Sequence, residues 1–404
     1  MLLAGVLKRF VSVGHLRMID AHGRIHDAGE SGTEPSVTVR LHDPTLHWKI
    51  GLLPKIAVGE AYMDGTLTIE DGTIVDFFEV IGRNLQNLER DDAVGRASTW
   101  IRRNITRPLQ QHNPVSRAQR NVAHHYDLSD DLFDLFLDDD RQYSCAYFAT
   151  PNSTLEQAQA DKKRHIGAKL LLEPGQRVLD IGSGWGGMGL YLAQQADVEV
   201  VGVTLSKEQH EVSSRRAREA GLDDRVRFHL QDYRELDGTF DRIVSVGMFE
   251  HVGAHHYLEF FRKVRSLMTD NSVMLLHSIG RFEEPGNTNA WLRKYIFPGG
   301  YTPALSEVFT QLERSNLLAT DLEILKTHYA ETLKHWHCRF TVNRDKVREL
   351  YDERFCRMWE FYLLGCESVF RYDDQMVFQL QIAKNRYATP ETRDYMVDWE
   401  RTHA

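Results

Sequence analysis

Arg177-Val178-Leu179-Asp180-Ile181-Gly182-Ser183-Gly184-Trp185-Gly186-Gly187 is the stretch that decides the reading of this chain. The first five residues read as a buried strand. The glycines that follow permit a tight turn and close approach of backbone to a ligand, with the N-terminus of the next helix aimed at it. Gly182, Gly184 and Gly187 match G-x-G-x-x-G, the spacing of dinucleotide sites. Two details point away from a dinucleotide. The acid precedes the glycines, at Asp180, where a carboxylate accepts from an ammonium group. The next strand ends in Val203-Thr204-Leu205-Ser206, without the ribose-binding acid that a nicotinamide site places about 20 residues on. A third strand ends in Gln231-Asp232-Tyr233, where Asp232 can reach an adenine edge and Tyr233 can offer a ring face. An adenosyl ligand carrying an amino acid in place of a pyrophosphate fits this pattern, so S-adenosylmethionine is the expected ligand. A dinucleotide oxidoreductase is the alternative that Thr204 disfavours.

Outward from the turn, strand and helix patterns alternate over 177–181, 189–195, 198–203, 207–220, 226–231, 242–246, 257–268 and 272–279. This βα alternation predicts an α/β domain, a mainly parallel sheet with helices on both faces. A helix over 156–172 precedes it, and the tail from Ser306 is mostly helical. A last strand pair is expected near Thr327–Ala330 and Val377–Lys384. Before the turn, residues 14–81 are mostly β, with Val37-Thr38-Val39-Arg40-Leu41 alternating and Asp64-Gly65 and Asp71-Gly72 as turns. Residues 1–95 thus read as a small α+β accessory domain, 96–120 as a linker and 121–404 as the main domain. The linker holds Arg96, Arg102, Arg103, Arg107, Arg117 and Arg120 and no acid. It is either a solvated connector or a patch that meets anionic lipid. Leu2, Leu3, Val6, Leu7, Phe10 and Val11 recur at helical spacing; that helix packs on its own domain or lies on a membrane.

Composition narrows the class. The 404 residues carry 49 basic and 58 acidic side chains, a net charge of −9, which argues against a general nucleic-acid coat. No run approaches the ~18 apolar residues of a membrane-spanning helix. Four cysteines without a CxxC pair do not make a disulfide scaffold, so a reducing, cytoplasmic setting is expected.

Several further motifs occur in order: Ala123-His124-His125-Tyr126-Asp127, Tyr143-Ser144-Cys145-Ala146-Tyr147-Phe148, Met248-Phe249-Glu250-His251-Val252, Tyr295–Gly300, and His328-Tyr329 with Thr332-Leu333 and Trp336. With the glycine turn and Gly202–Ser206 they make the chain resemble the cyclopropane-fatty-acyl-phospholipid synthase family. The resemblance runs from about Asn121 to the C-terminus. Gly59-Glu60-Ala61-Tyr62-Met63-Asp64-Gly65 is similar to the extra N-terminal domain of the phospholipid-acting branch. One departure is Ser183, where Cys is commoner.

The resemblance implies a Rossmann-like class I methyltransferase domain. The implied reaction transfers the methyl of S-adenosylmethionine to a cis double bond in an unsaturated phospholipid acyl chain. Loss of a proton from the new methyl then closes a cyclopropane, with bicarbonate as base. It also implies a homodimer that sits peripherally on the inner face of the membrane. The implied bicarbonate site is Cys145, Glu250, His277, Ile279 and Tyr329, with no metal. The donor-site candidates are Tyr143, Ser144, Asp180, Gly182, Gly184, Gly187, Thr204, Leu205, Gln209, Asp232 and Tyr233. Elementary chemistry agrees: an alkene is a poor nucleophile and needs alignment and dryness, and a cationic transition state favours the aromatic faces of Tyr126, Tyr143, Tyr147 and Phe148. Glu250 is expected to orient His277 or to accept from a protonated bicarbonate oxygen. Three alternatives stay open: a lipid C-methyltransferase giving a methyl branch, a methyltransferase of a soluble molecule, and a non-catalytic membrane-binding protein that keeps a vestigial donor fold.

Overall fold

The computed structural model of the chain describes residues 2–89 and 128–403. The Arg-rich stretch 96–120 and the motif 123–127 lie outside the described residues. The described residues fall into two compact units. The first comprises 2–89 with Thr288–Phe297 and Ala330–Gln375, and the second comprises 128–287 with Pro298–Tyr329 and 376–403. Thus two segments of the stretch 121–404 pack with the N-terminal residues.

In the first unit, β1 (His15–Ile19), β2 (Ile25–Gly29), β3 (Ser36–Leu41) and β4 (Leu67–Asp71) form a sheet ordered β2-β1-β3-β4. Pairing is antiparallel except between β1 and β3. Along β3, Val37, Val39 and Leu41 are buried and their neighbours are not, the alternation of a one-sided sheet. Against it lie α1 (Leu2–Phe10), α2 (Leu46–Leu52), α3 (Pro54–Met63) and α4 (Ile74–Arg83). A capping box between Thr73 and Asp76 starts α4. Leu3, Phe10 and Val11 sit in the core with Leu7 packed on them, so α1 turns most of its apolar face to its own unit and leaves Val6 exposed. A group of more exposed apolar side chains is Trp48, Leu52 and Leu53 on α2 and its end, at 65%, 71% and 63%.

The motif 59–65 proves to be a packing device. A Cβ on Gly59 would lie 2.5 Å from Trp291 Nε1, so only glycine lets that indole seat. Glu60 accepts from Lys294 Nζ at 2.6 Å and from the Tyr295 hydroxyl at 2.8 Å. Tyr62 donates to Glu360 at 2.6 Å, and Asp64 accepts from Arg354 at 2.8 Å. Each polar residue of the motif is matched within the unit.

The second unit holds a seven-stranded sheet ordered β10-β11-β9-β8-β5-β6-β7. Its strands are β5 (Arg177–Ile181), β6 (Glu199–Thr204), β7 (Val226–Leu230), β8 (Phe240–Val246), β9 (Met268–Arg281), β10 (Leu318–Ile324) and β11 (Gln375–Ala383). From β7 to β9 the pairing is parallel; β10 and β11 are antiparallel. Helices α5 (Leu155–Leu170), α6 (Gly187–Gln195), α7 (Lys207–Glu219) and α8 (Tyr257–Leu267) cover it. The parallel α/β expectation therefore holds. The last strand pair is corrected. Thr327–Ala330 is not a strand: the helix His328–Val342 begins there, and β11 pairs instead with Leu318–Ile324. Leu318, Thr320, Leu322 and Ile324 keep period two, which suits a strand.

Candidate active site

The sheet presents its glycine turn at the end of β5. Gly182, Gly184 and Gly186 all have positive φ, at 85°, 52° and 86°. The amides of Gly182 and Ser183 both donate to Val203 O at 3.0 Å, which pins the turn onto the end of β6. A Cβ at Gly182 would lie 2.8 Å from Met248 Cβ, whereas one at Gly184 meets nothing within 4 Å. Gly182 is needed for packing, and Gly184 borders open space.

Asp180 is the electrostatic feature of this turn. It is buried, its Oδ2 has no hydrogen-bond partner among the described residues, and burial pushes its carboxyl up to about 7. A buried orphan carboxylate is costly unless a cation meets it. Ser183 Oγ is likewise buried and unmatched. These two atoms and the gap at Gly184 fit the amino-acid end of S-adenosylmethionine.

The other donor-site candidates are more occupied. Thr204 donates to Gln209 Oε1 at 2.8 Å, and Ser206 caps α7 by accepting from the Gln209 amide, so the start of α7 is knitted to the end of β6 at Leu205. The Asp232 carboxylate already takes three hydrogen bonds from Arg234, at 2.8–3.0 Å. Tyr233 packs edge-on against Phe260, and burial pushes its hydroxyl up. Gly187 begins α6 beside Asp140 and Gln142.

Tyr143, Ser144 and Cys145 lie on an irregular segment that cannot satisfy itself. Buried α5 side chains hold it: Lys162 Nζ donates to Gln142 Oε1 and Ser144 Oγ, each at 2.7 Å, and Gln159 Nε2 donates to the carbonyls of Gln142 and Ser144 at 3.1 Å. Burial lowers Lys162 to about 8. Tyr143 stacks edge-on against Phe133 at 5.3 Å, and Cys145 is fully enclosed.

Glu250 and Ile279 come together, and His277 shares the strand of Ile279. Glu250 follows β8 on a short turn and accepts the Ile279 N–H at 2.6 Å through Oε1. Its Oε2 is buried with no partner among the described residues, and burial pushes the carboxyl up to about 7. His277 is two residues before Ile279 on β9, hence on the same face. Its Nδ1 faces Gln379 Nε2 on β11 at 3.2 Å, so Gln379, not Glu250, sits at that nitrogen. Burial, with Lys162, Lys169 and His165 adding, holds His277 well below the usual histidine range. Tyr329 is buried in the first turn of the helix His328–Val342. Its neighbour His328 stacks on Tyr147 at 5.0 Å and accepts from the Phe148 N–H at 2.9 Å, tying this turn to the Cys145 segment. Among the described residues no group of three or more His, Cys, Asp or Glu is arranged to hold a metal.

The family model described as mycolic acid cyclopropane synthetase matches residues 113–380. The chain belongs to that family. Its members are S-adenosylmethionine-dependent methyltransferases, and this chain is one. It is 37% identical to the cyclopropane-fatty-acyl-phospholipid synthase of Escherichia coli over 88% of this chain and 89% of that protein. It is 34% identical to a tuberculostearic acid methyltransferase of Mycobacterium tuberculosis over 93% and 89%. A mycolic acid cyclopropane synthase solved with S-adenosylhomocysteine (SAH) and CTAB superimposes with a TM-score of 0.63 at 34% identity, over 67% of this chain and 99% of that one.

Sequence reading did not find Lys162, Lys169, His165 or Gln379. A signal was present: Val377-Phe378-Gln379-Leu380-Gln381-Ile382 is an apolar strand with glutamines at period two, which demands polar partners on one face.

Proposed function

We propose that this protein transfers the methyl of S-adenosylmethionine to a cis double bond of an unsaturated phospholipid acyl chain and closes a cyclopropane ring. The observation that carries this reading is the buried Glu250 carboxylate, held by the Ile279 N–H on the strand that carries His277, with one oxygen unmatched among the described residues. S-adenosylmethionine supplies an electrophilic methyl. Asp180, Ser183 and the backbone at Gly184 would hold its amino-acid end. Once the methyl carbon is bonded to the alkene, one of its protons must leave as the second carbon–carbon bond closes, so the acyl chain gains CH₂ overall. Bicarbonate bound among Cys145, Glu250, His277, Ile279 and Tyr329 would take that proton. Because the Ile279 N–H is given to Glu250 and the Ile279 carbonyl accepts from Ser278 Oγ at 3.0 Å, Glu250 Oε2 is the acceptor that would be open to a bicarbonate hydroxyl. Exclusion of water by the packed segment 143–148 keeps the cation from being trapped.

The phospholipid assignment is supported by the span of the likeness to the E. coli synthase, which covers the N-terminal residues as well. Peripheral association with the inner membrane face is supported by the exposed Trp48, Leu52 and Leu53, flanked by Lys49 and Lys55, a side-chain set suited to a lipid interface. Homodimer formation is carried over from the family resemblance. A second reading, methyl-branch formation, is favoured by the extent of the likeness to the tuberculostearic acid methyltransferase.

The test is incubation with methyl-labelled S-adenosylmethionine and vesicles of unsaturated phospholipid, followed by mass spectrometry of the acyl methyl esters. A product one CH₂ heavier that resists mild hydrogenation supports ring closure. A product of the same mass that takes up hydrogen is a methylene branch and overturns it. Label absent from lipid overturns the lipid substrate.

A further inference from the structure

A line of polar groups crosses the second unit beneath α5. His277 on β9 meets Gln379 on β11, which lies directly opposite Glu323 on β10 in the strand register. Lys169 and His165, one turn apart on α5, reach down onto the same line. Lys169 Nζ donates to Gln379 Oε1 at 2.6 Å and pairs with Glu323. Glu323 also takes His165 Nε2 at 2.6 Å, and the other nitrogen of His165 meets Glu400 at 2.5 Å.

The chemistry of these groups leaves one consistent arrangement of protons. An ammonium group has donors and no acceptor, so the end of the Gln379 amide that faces Lys169 must be the oxygen. The end that faces His277 is then the NH₂, which only donates. His277 Nδ1 must therefore accept, and the ring proton resides on Nε2. Protonating Nδ1 would set two donors against each other. Flipping the amide would set its NH₂ against the ammonium; burial lowers Lys169 from the usual lysine range, and the paired Glu323, held down at about 2 by His165 and Lys169, works against that shift.

We propose that Gln379, oriented by Lys169, is a positioning residue that holds His277 as the neutral Nε2–H tautomer. The consequence for catalysis rests on the reaction proposed above. His277 then presents a hydrogen-bond donor to the bound base and cannot store the proton taken from the substrate, which has to leave with the base or pass to Glu250. Deprotonation therefore depends on a residue of β11 that acts through His277.

The protein labelled with ¹⁵N-histidine gives the answer in a long-range ¹H–¹⁵N spectrum, with His277 assigned by its loss in His277→Asn. The expected spectrum has a protonated Nε2 and a bare Nδ1, unchanged from pH 6 to pH 8. Gln379→Glu keeps a partner for Lys169 but offers His277 an acceptor. It should move the proton to Nδ1 or give an imidazolium, and lower kcat more than tenfold with KM for S-adenosylmethionine within twofold. Wild-type His277 found as the Nδ1–H tautomer or as imidazolium at pH 7 overturns the proposal. So does a Gln379→Glu protein unchanged in both spectrum and kcat. Should that variant fail to fold, the wild-type spectrum decides alone. The expected tautomer with no label entering lipid would sink the proposed reaction and leave this assignment standing.

Discussion

Asp180→Asn should make the free protein more stable and its donor binding weaker, two effects of opposite sign from one atom. The Asp180 carboxyl is raised from 3.8 to about 7 by burial alone. That gap corresponds to roughly 4 kcal/mol at 1.36 kcal/mol per pH unit, an upper limit because the folded chain relaxes around a charge. The folded-state value lies above the unfolded one, so the folded protein holds the proton more tightly. Stability therefore falls as pH rises from about 4 to about 7 and is level beyond. Asparagine has the same shape and no charge. At pH 8 the free variant should gain about 1–3 kcal/mol, a rise of a few degrees in the apparent unfolding midpoint, and below pH 4 it should gain nothing. In the complex, the lost charge-assisted hydrogen bond is worth about 1.5–3 kcal/mol, or roughly 10- to 150-fold in affinity. Scanning calorimetry and titration with SAH measure the two effects. A variant less stable than wild type at pH 8, or one that binds SAH equally well, refutes the reasoning.

Three other outcomes are expected. Glu250→Gln should lower kcat at least 100-fold while the Kd for SAH stays within threefold; in the wild type, kcat should rise through pH 7, where burial has placed this carboxyl, and level off above it. A pH–rate profile without that step would remove Glu250 from the proton path. Gly184→Ala has space for its Cβ but not the backbone preference, so it should cost about 1 kcal/mol of stability while weakening SAH binding more than tenfold. Equal binding by that variant would place the donor elsewhere. Replacing Trp48, Leu52 and Leu53 by Ser should reduce vesicle co-sedimentation at least tenfold with an unchanged unfolding midpoint, since their side chains are largely in solvent. Unchanged sedimentation would dismiss this surface.

The parallel sheet was legible because each strand between 177 and 279 is a short apolar run followed by a helix pattern. The glycine turn was legible because positive φ leaves little choice of residue at Gly182, Gly184 and Gly186. Two kinds of feature stayed hidden. One was the fit of 59–65 against Trp291, Lys294, Tyr295, Arg354 and Glu360, partners more than 220 residues away that no local pattern joins. The other was the polar line through His277. Lys162, His165 and Lys169 on α5 look in sequence like a solvated helix face, yet all three are buried. Tertiary packing buries them because the facing strand offers glutamines and the irregular segment 142–145 needs donors. Of the candidate set, Glu250 and Ile279 meet directly, but the partner of His277 was a residue that the sequence presents as one more position in a core strand.

The order β10-β11-β9 has a consequence for biosynthesis. Residues 177–281 supply five adjacent strands in one continuous stretch, but β11, which covers the edge of β9, comes from residues 375–383 of 404. While the ribosome is still translating, β9 has an open edge and His277 has no amide to face. The strand that closes that edge brings Gln379 with it. A chain cut short before residue 375 therefore lacks its edge cover and its histidine partner at once, leaving a sticky fragment for proteases to clear instead of a slow enzyme loose in the cell.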